Sequence, residues 1–153
     1  MPRSSRKPKI YPLGWLLLAL IAIFCLHRWW PVATLVPRPF HWAGLLFGFP
    51  GVVILLHSAA RFIQAKTGLI PFSEATTLVT SDFYRFSRNP MYLGMVLSLL
   101  GLTLFLGTAS PLIPFVVFIW IIDQRFIRNE ELFLEEVFGD EYVAYKRRVR
   151  RWI

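Results

Sequence analysis

The side chains best suited to chemistry in this 153-residue sequence lie in two polar clusters, each beside an apolar stretch. In the first cluster, Arg88 is followed by Asn89 and Pro90, after which a long apolar run begins. Proline fits the first turn of a helix and favours an extended residue before it, so Asn89 is a suitable N-cap. The free N–H groups of such a helix start, with Arg88 beside them, favour an anion such as a carboxylate. A plain helix cap would explain the same residues without a ligand.

The second cluster is a pair of adjacent carboxylates, Glu130 and Glu131. Apolar residues recur with helical spacing at positions 126, 127, 133, 134, 137 and 138. They predict an amphipathic helix that ends at Gly139, because glycine is a common C-terminal stop. Two carboxylates next to an apolar segment suit a cation or a hydroxylated ligand. A solvated helix face explains them equally well, so spacing alone leaves both interpretations open.

Other chemistries lack the residues that they require. The three histidines, His27, His41 and His57, are far apart and show no metal-ligand spacing, so no metal site is expected. The sequence has no Gly-rich phosphate loop and no G-x-S-x-G elbow. Cys25 is the only cysteine, which excludes an intramolecular disulfide, and its apolar neighbours indicate a small core residue.

The elements that must position both clusters are apolar enough for a membrane. Hydrophobic residues make up 56% of the chain and charged residues 17%, which argues against a disordered chain and an ordinary soluble domain. A helix needs roughly 20 apolar residues to cross a bilayer. The first three of four apolar stretches reach that length and the last is marginal: residues 11–30, 42–62, 91–109 and 111–127.

We therefore expect an all-α integral membrane protein with about four transmembrane helices. The turn at 107–110 and the prolines after it predict that the last two helices form a hairpin, followed by a C-terminal cytoplasmic amphipathic helical region. In that region Tyr142, Tyr145, Val149 and Trp152 have the spacing of one helical face, which predicts a helix in the cytoplasmic membrane interface with its aromatic rings at headgroup depth. Glycines in the second stretch, with Gly94, Ser98 and Gly101 in the third, predict close helix packing.

Basic residues predict the orientation of the chain. The N-terminal arm, the loop at 61–88 and the tail after residue 125 are rich in Lys and Arg, whereas the turn at 106–112 has none. Because such segments stay on the cytoplasmic side, both termini are expected there, and the expected location is the prokaryotic inner (cytoplasmic) membrane. The net charge of +8 is divided between the two ends of the chain. That division suits an anionic membrane surface better than nucleic acid.

The motif Y-R-F-S-R-N-P-M-Y-L-G at 84–94, followed by R-N-E-E at 128–131 and F-G-D-E-Y at 138–142, resembles the isoprenylcysteine carboxyl methyltransferase family. This family looks related to the phospholipid methyltransferases. The resemblance covers residues 65–153 and indicates a small prokaryotic-type member. It implies two regions, a two-span membrane region at 1–64 and a methyltransferase-like catalytic region at 65–153.

The resemblance also implies S-adenosylmethionine as cofactor, bound at the cytoplasmic face between the start of the third span and the helix with the glutamate pair. Arg88 and the helix start would receive its carboxylate, and the glutamates would receive its ammonium and ribose hydroxyls. Arg88 and Glu130 are the residues expected to be catalytic. The full set implied for the cofactor is Val79, Tyr84, Arg88, Asn89, Pro90, Tyr92, Gly94, Glu130 and Glu131.

Two departures from the family pattern leave the methyl acceptor open. Asn89 stands where eukaryotic members have His, and Asp82-Phe83 stands where many members have Gly-Pro. Asparagine can hydrogen-bond but cannot titrate near neutral pH. The expected acceptor is lipophilic and enters from the bilayer: an isoprenylcysteine carboxylate, a lipid, or a small thiol or amine. The alternatives are a non-catalytic membrane adaptor and a membrane reductase that uses NADPH, and the oligomeric state is left open.

Overall fold

The structure is a computed structural model that describes residues 10–64 and 77–153. The basic N-terminal arm and the middle of the 61–88 loop, which carry part of the orientation argument, lie outside the described residues. Six α-helices form the described part: α1 Pro12–Trp29, α2 Gly44–Gln64, α3 Pro90–Leu106, α4 Leu112–Ile122, α5 Arg128–Phe138 and α6 Asp140–Arg148. No β-strand occurs within these residues. The predicted all-α class is therefore confirmed for them.

Two helical segments of the described chain are long and apolar enough to cross a membrane, Pro12–Trp29 and Phe40–Arg61. The second consists of α2 and the short 3₁₀ helix before it, Phe40–Ala43. α3 is apolar but shorter, with 17 residues. The expected count of four spans and the sidedness of the termini remain predictions.

The fourth apolar stretch has a different internal structure from the one expected. α4 ends after 11 residues, and a π turn at Asp123–Ile127 connects it to α5. The residues at both junctions keep helical backbone angles, so residues 112–138 form one continuous helical run. α5 ends where predicted, because Gly139 adopts a positive φ of 52°.

α2 and α3 form the most extensive helix pair, and small residues make their close approach possible. A Cβ atom added to Gly101 would overlap the backbone of Gly48. A Cβ atom on Gly94 would lie 2.6 Å from the backbone nitrogen of Leu55 and 2.7 Å from the carbonyl oxygen of Gly51. Helix packing thus requires a glycine at position 94, and the cofactor approach expected at that residue stays a prediction.

The apolar core lies between α1, α3 and α4. Ile23, Leu99 and Ile122, one from each of these helices, are fully buried at its centre. At the far end from the polar clusters, the α1–α2 loop is bonded to the turn between α3 and α4: the backbone nitrogen of Leu35 donates to the carbonyl of Gly107 over 2.8 Å. These contacts hold the helices in a fixed arrangement, on which the geometry of the site depends.

The C-terminal segment corrects one expectation. α6 ends at Arg148, and Val149 is extended with φ −121° and ψ 132°, so the predicted helical face does not continue to Trp152. The reason is a competing backbone contact, since the carbonyls of Arg150 and Arg151 accept hydrogen bonds from the segment before α3. Tyr142 and Tyr145 are buried in the protein, whereas the prediction placed these rings in the membrane interface.

Candidate functional site

The two polar clusters meet where the start of α3 lies beside α5. Tyr92, in the first turn of α3, donates a hydrogen bond of 2.9 Å from its hydroxyl to Oε2 of Glu130. This contact joins residues 38 positions apart in the sequence. The structure therefore brings together two motifs that sequence reasoning identified separately.

Arg88 and Glu131 form a second contact, an ion pair with Nη2 3.3 Å from Oε1. Their side chains are only 9% and 5% exposed. Glu131 also binds Arg151, whose Nη2 donates to Oε2 over 2.7 Å and whose Nε donates to Oε1 over 3.2 Å. Both oxygens of Glu131 are thus bound to guanidinium groups, and its expected contact with the cofactor stays a prediction.

Arg88 has donors left over. Its Nε and Nη1 are buried, and neither has a hydrogen-bond acceptor among the described residues. Buried polar groups in native proteins are nearly always paired, so these unpaired donors make Arg88 a candidate ligand contact. Arginine is the side chain best suited to a carboxylate. These donors fit the carboxylate of S-adenosylmethionine.

Burial sets the electrostatics of Glu130. Desolvation raises the pKa of Glu130 above the ordinary value of 4.5, and the charge of Glu131 raises it further. The hydrogen bond from Tyr92 acts in the opposite direction and lowers it. Tyr84 lies close enough for the charge of Glu130 to raise its pKa, in addition to the larger effect of burial. Tyr84, Tyr92 and Glu130 therefore form one buried polar group, in which Glu130 is the partly exposed member.

α6 packs against the segment that carries Tyr84. Tyr145 donates a hydrogen bond of 2.6 Å to the backbone carbonyl of Tyr84, and burial raises the pKa of Tyr145 to about 12. Burial and the charge of Glu131 raise the pKa of Tyr142, while the charge of Arg88 and a hydrogen bond with its side chain lower it. Both tyrosines remain neutral at physiological pH, and their buried side chains line the site and can form hydrogen bonds there.

The segment before α3 has a different geometry from the predicted cap. Asn89 occupies the N-cap position and Pro90 the first turn, as expected, but Asn89 makes no side-chain capping bond. Its amide instead donates to the carbonyl of Arg151 over 3.3 Å. Val79 is partly buried among irregular residues before this segment and takes no part in the contacts described above.

Sequence reasoning missed two members of the site. Arg151 belongs to the basic tail, and Asp123 lies near the end of the fourth apolar stretch, so neither is part of the two sequence clusters. In the structure, Nη1 of Arg151 lies 3.4 Å from Oδ1 of Asp123, whose other oxygen lies 3.2 Å from Nε of Arg128. The available signal was Asp123 itself, since an acid at the end of an apolar run needs a partner.

The 3₁₀ helix Asp82–Arg85 is held from α2. Nε of Arg61 lies 2.6 Å from Oδ2 of Asp82, and Nη2 of Arg61 donates to Ser81 over 3.0 Å. Asp82 has a φ of 54°, a left-handed conformation that glycine adopts with little strain. The family that this sequence resembles often has glycine at this position, which suits such a φ. Here the residue is aspartate, and Arg61 holds its side chain in place.

An open cleft of about 400 Å³ lies between α2 and this 3₁₀ helix. Its lining combines apolar and ionisable side chains: Val53, His57, Asp82, Phe83, Arg85 and Phe86. His57 stacks edge-on against Phe83, with ring centroids 5.3 Å apart. Phe86 is 72% exposed. The cleft and the buried polar group share the segment at 82–86, from which Tyr84 is directed toward Glu130.

Comparisons with known proteins agree with the two motifs. An uncharacterized protein of Haemophilus influenzae is 48% identical over 63 residues, which are 41% of this chain and 100% of that protein. A protein-S-isoprenylcysteine O-methyltransferase of Saccharomyces cerevisiae is 38% identical over 93 residues, 61% of this chain and 37% of the yeast protein. Protein-S-isoprenylcysteine O-methyltransferase A of Arabidopsis thaliana is 30% identical over 115 residues, 71% of this chain and 58% of the plant protein.

The chain thus spans less than two thirds of the length of these two methyltransferases. No solved structure matches it. The sequence profile described as phospholipid methyltransferase matches residues 39–141. That match includes α2 to α5, Tyr92 and both glutamates, and the chain belongs to the phospholipid methyltransferase family.

Proposed function

We propose that this protein is a membrane methyltransferase that uses S-adenosylmethionine and acts at the cytoplasmic face on a lipophilic acceptor. One observation carries the proposal. Arg88 is a buried cation with unused N–H donors, and it lies among residues of the two motifs that the family membership makes relevant. An adaptor that only held lipid through its basic tail would not need this arrangement.

The residues of the site complement the polar groups of S-adenosylmethionine. Nε and Nη1 of Arg88 would hold the carboxylate, and the carboxylate of Glu130 would accept hydrogen bonds from the ammonium or the ribose hydroxyls. Glu131 would act through Arg88, because its own oxygens are already bound. Tyr84, Tyr142 and Tyr145 would exclude water from the bound group.

Bound S-adenosylmethionine supplies an electrophilic methyl group, which an acceptor takes by in-line displacement. The chain has to align the two reactants and remove water from between them, so no nucleophilic side chain is required. A carboxylate acceptor has no proton to lose. For a protonated thiol or amine, Glu130 is the group we propose to receive the proton, since its raised pKa makes it a better base than an exposed glutamate.

The proposed acceptor is lipophilic and reaches the site from the bilayer. The name of the matched family refers to phospholipids, and the names of the yeast and plant relatives refer to an isoprenylated cysteine. The cleft beside the 3₁₀ helix supports this route, because Phe86 and Val53 offer apolar contacts next to the cation of Arg85. An isoprenylcysteine carboxylate, a lipid headgroup, and a small thiol or amine all fit this description.

Thermal unfolding in detergent tests the cofactor. A ligand that binds only the folded protein stabilises it by about 2.7 kcal/mol at 100 times its Kd. We expect S-adenosylhomocysteine to raise the Tm and NADPH to leave it unchanged. Stabilisation by NADPH alone would indicate a reductase, and stabilisation by neither would favour the adaptor. The acceptor can then be identified by incubating the protein and total lipid extract with methyl-labelled S-adenosylmethionine.

A further inference from the structure

The last residues of the described chain close against the segment that precedes α3. The backbone nitrogen of Arg88 donates to the carbonyl of Arg150 over 2.9 Å. Ser87 and Asn89 both donate to the carbonyl of Arg151, over 3.2 and 3.3 Å. Three consecutive residues beside the site are therefore held by two consecutive carbonyls of the tail.

The side chain of Arg151 extends this contact into the site. Its guanidinium binds Glu131 through two nitrogens, at 2.7 and 3.2 Å, and reaches Asp123 at 3.4 Å. Arg88 binds the same carboxylate at 3.3 Å. Two cations and two anions thus alternate through a largely buried network, in which Glu131 is the shared centre.

This charge balance determines what Arg88 can do. A carboxylate that is 5% exposed must be neutralised, and removing one partner of a buried pair leaves an uncompensated charge. Without Arg151, Glu131 would need more of the guanidinium of Arg88, whose Nε and Nη1 are the donors that remain unused. With Arg151 in place, one nitrogen of Arg88 satisfies Glu131 and the others stay available.

We propose that Arg151 is a positioning residue: it neutralises Glu131 so that Arg88 presents its free donors to the amino-acid carboxylate of the methyl donor. This inference rests on the proposed function and goes beyond it, because it assigns a role in ligand affinity to one named residue of the tail and gives the contacts through which it acts. Arg151 acts through Glu131 and Arg88 and does not touch the ligand.

The test compares two ligands on the full-length protein in detergent, by isothermal titration. S-adenosylhomocysteine carries the amino-acid part, and 5′-methylthioadenosine keeps the nucleoside but lacks that part. We expect Arg151→Gln to lower the affinity for S-adenosylhomocysteine by about tenfold or more, the usual effect of losing a charge-assisted hydrogen bond. The affinity for 5′-methylthioadenosine should change by less than about twofold. Arg147→Gln, which removes the same charge from an exposed position of α6, should change neither affinity.

The outcomes separate the proposals. Equal weakening of both ligands by Arg151→Gln, or no weakening of either, would overturn the positioning role. If the wild-type protein binds neither ligand, the proposed function is wrong and this inference is wrong with it. If Arg151→Gln does not yield folded protein, Arg151→Lys is measured instead. A point charge cannot reproduce the two-nitrogen contact with Glu131, so the same selective loss is expected, with a smaller size.

Discussion

Glu130 and Glu131 are neighbours in the sequence but have different chemical environments. Successive residues on an α-helix point about 100° apart, so the two carboxylates face different partners. Glu131 is bound by two guanidinium groups, whereas Glu130 has a phenol as its partner and a raised pKa. Their roles therefore differ: Glu131 holds cations of the protein, and Glu130 is the carboxylate available to a ligand or a proton.

The raised pKa of Glu130 predicts opposite effects of pH on the stability of the protein and on its affinity for the ligand. Because the folded-state pKa of Glu130 is raised, its contribution to stability is fully present below 4.5 and is lost as pH rises through the folded-state pKa. Affinity for S-adenosylhomocysteine should instead increase over that rise, since the ligand's donors favour the ionised form. Tyr92→Phe removes the effect that lowers this pKa, so the affinity transition should move to higher pH.

Ligand titrations at a series of pH values measure this transition in the wild-type protein and the variant. Glu130→Gln is the matched control, because an amide of the same shape does not titrate and the transition should disappear. If the transition persists unchanged in Glu130→Gln, a different group is responsible.

Arg88→Lys is predicted to be a severe change although it keeps the charge. Lysine can replace the ion pair with Glu131, but it has no second set of N–H groups in a fixed plane to offer the ligand. We expect an affinity for S-adenosylhomocysteine that is lower by about 10- to 150-fold, measured by the same titration. Arg125→Lys, at an exposed position, should bind as the wild-type protein does. Full affinity in Arg88→Lys would remove Arg88 from the site.

At the scale of helices, the contact between α2 and α3 allows a paired test of the small-residue packing. A Cβ atom on Gly101 would overlap the backbone of Gly48, whereas a Cβ atom on Gly48 would lie 3.6 Å from its nearest neighbour, an ordinary van der Waals distance. Gly101→Ala should therefore destabilise the protein by about 1–3 kcal/mol, and Gly48→Ala should be tolerated. Thermal unfolding in detergent measures both, and similar Tm values for the two variants would contradict this packing.

Most of the helices could be predicted from the sequence, because an apolar run or an amphipathic spacing is bounded by a clear start or stop. Pro12 and Pro90 fit the starts of α1 and α3, and Gly107 and Gly139 follow the ends of α3 and α5 with positive φ. The end of α6 could not be predicted in this way. The apolar spacing continues to Trp152, and only a long-range backbone contact with the segment at 87–89 ends the helix at Arg148.

The candidate site was predictable to a similar extent. Types and order of residues identified Arg88, Tyr92 and the two glutamates, and the structure brings all four together. The pairing of Glu131 with Arg151 was not predictable, because a sequence shows how many charges it has but not which of them meet. Asp123 indicated only that a basic partner was needed, and it is met by Arg128 from the same helical run as well as by Arg151 from the tail.

For the molecule as a whole, the exposed apolar surface agrees with a membrane setting. Large apolar side chains of α1 and α2 are exposed to the surroundings, including Leu17, Phe24, Leu46, Phe49 and Leu56. Both helices are long enough to span a bilayer. The polar site lies at one end of these helices, and the bonded loops around Gly107 lie at the other.

The predicted orientation can be tested with single cysteines in a Cys25→Ser background. Phe40 and Arg147 are exposed residues at opposite ends of the molecule. A membrane-impermeant maleimide added to intact cells should label Phe40→Cys, because the loop at 27–41 is expected outside the cytoplasm. Arg147→Cys should be labelled only after the membrane is permeabilised. The reverse pattern would place the site on the opposite side of the membrane.

The π turn at Asp123–Ile127 controls the rotational phase between the two halves of the last long helix. A π turn fits one more residue into a helical run than α-helical winding would, and each residue corresponds to about 100° of rotation. The apolar face of α4 can therefore follow the hydrophobic core while α5 is turned independently, so that Glu130 reaches Tyr92 and Glu131 reaches Arg88. Uniform α-helical winding would couple these two requirements, and a helix aligned for packing would direct its carboxylates elsewhere.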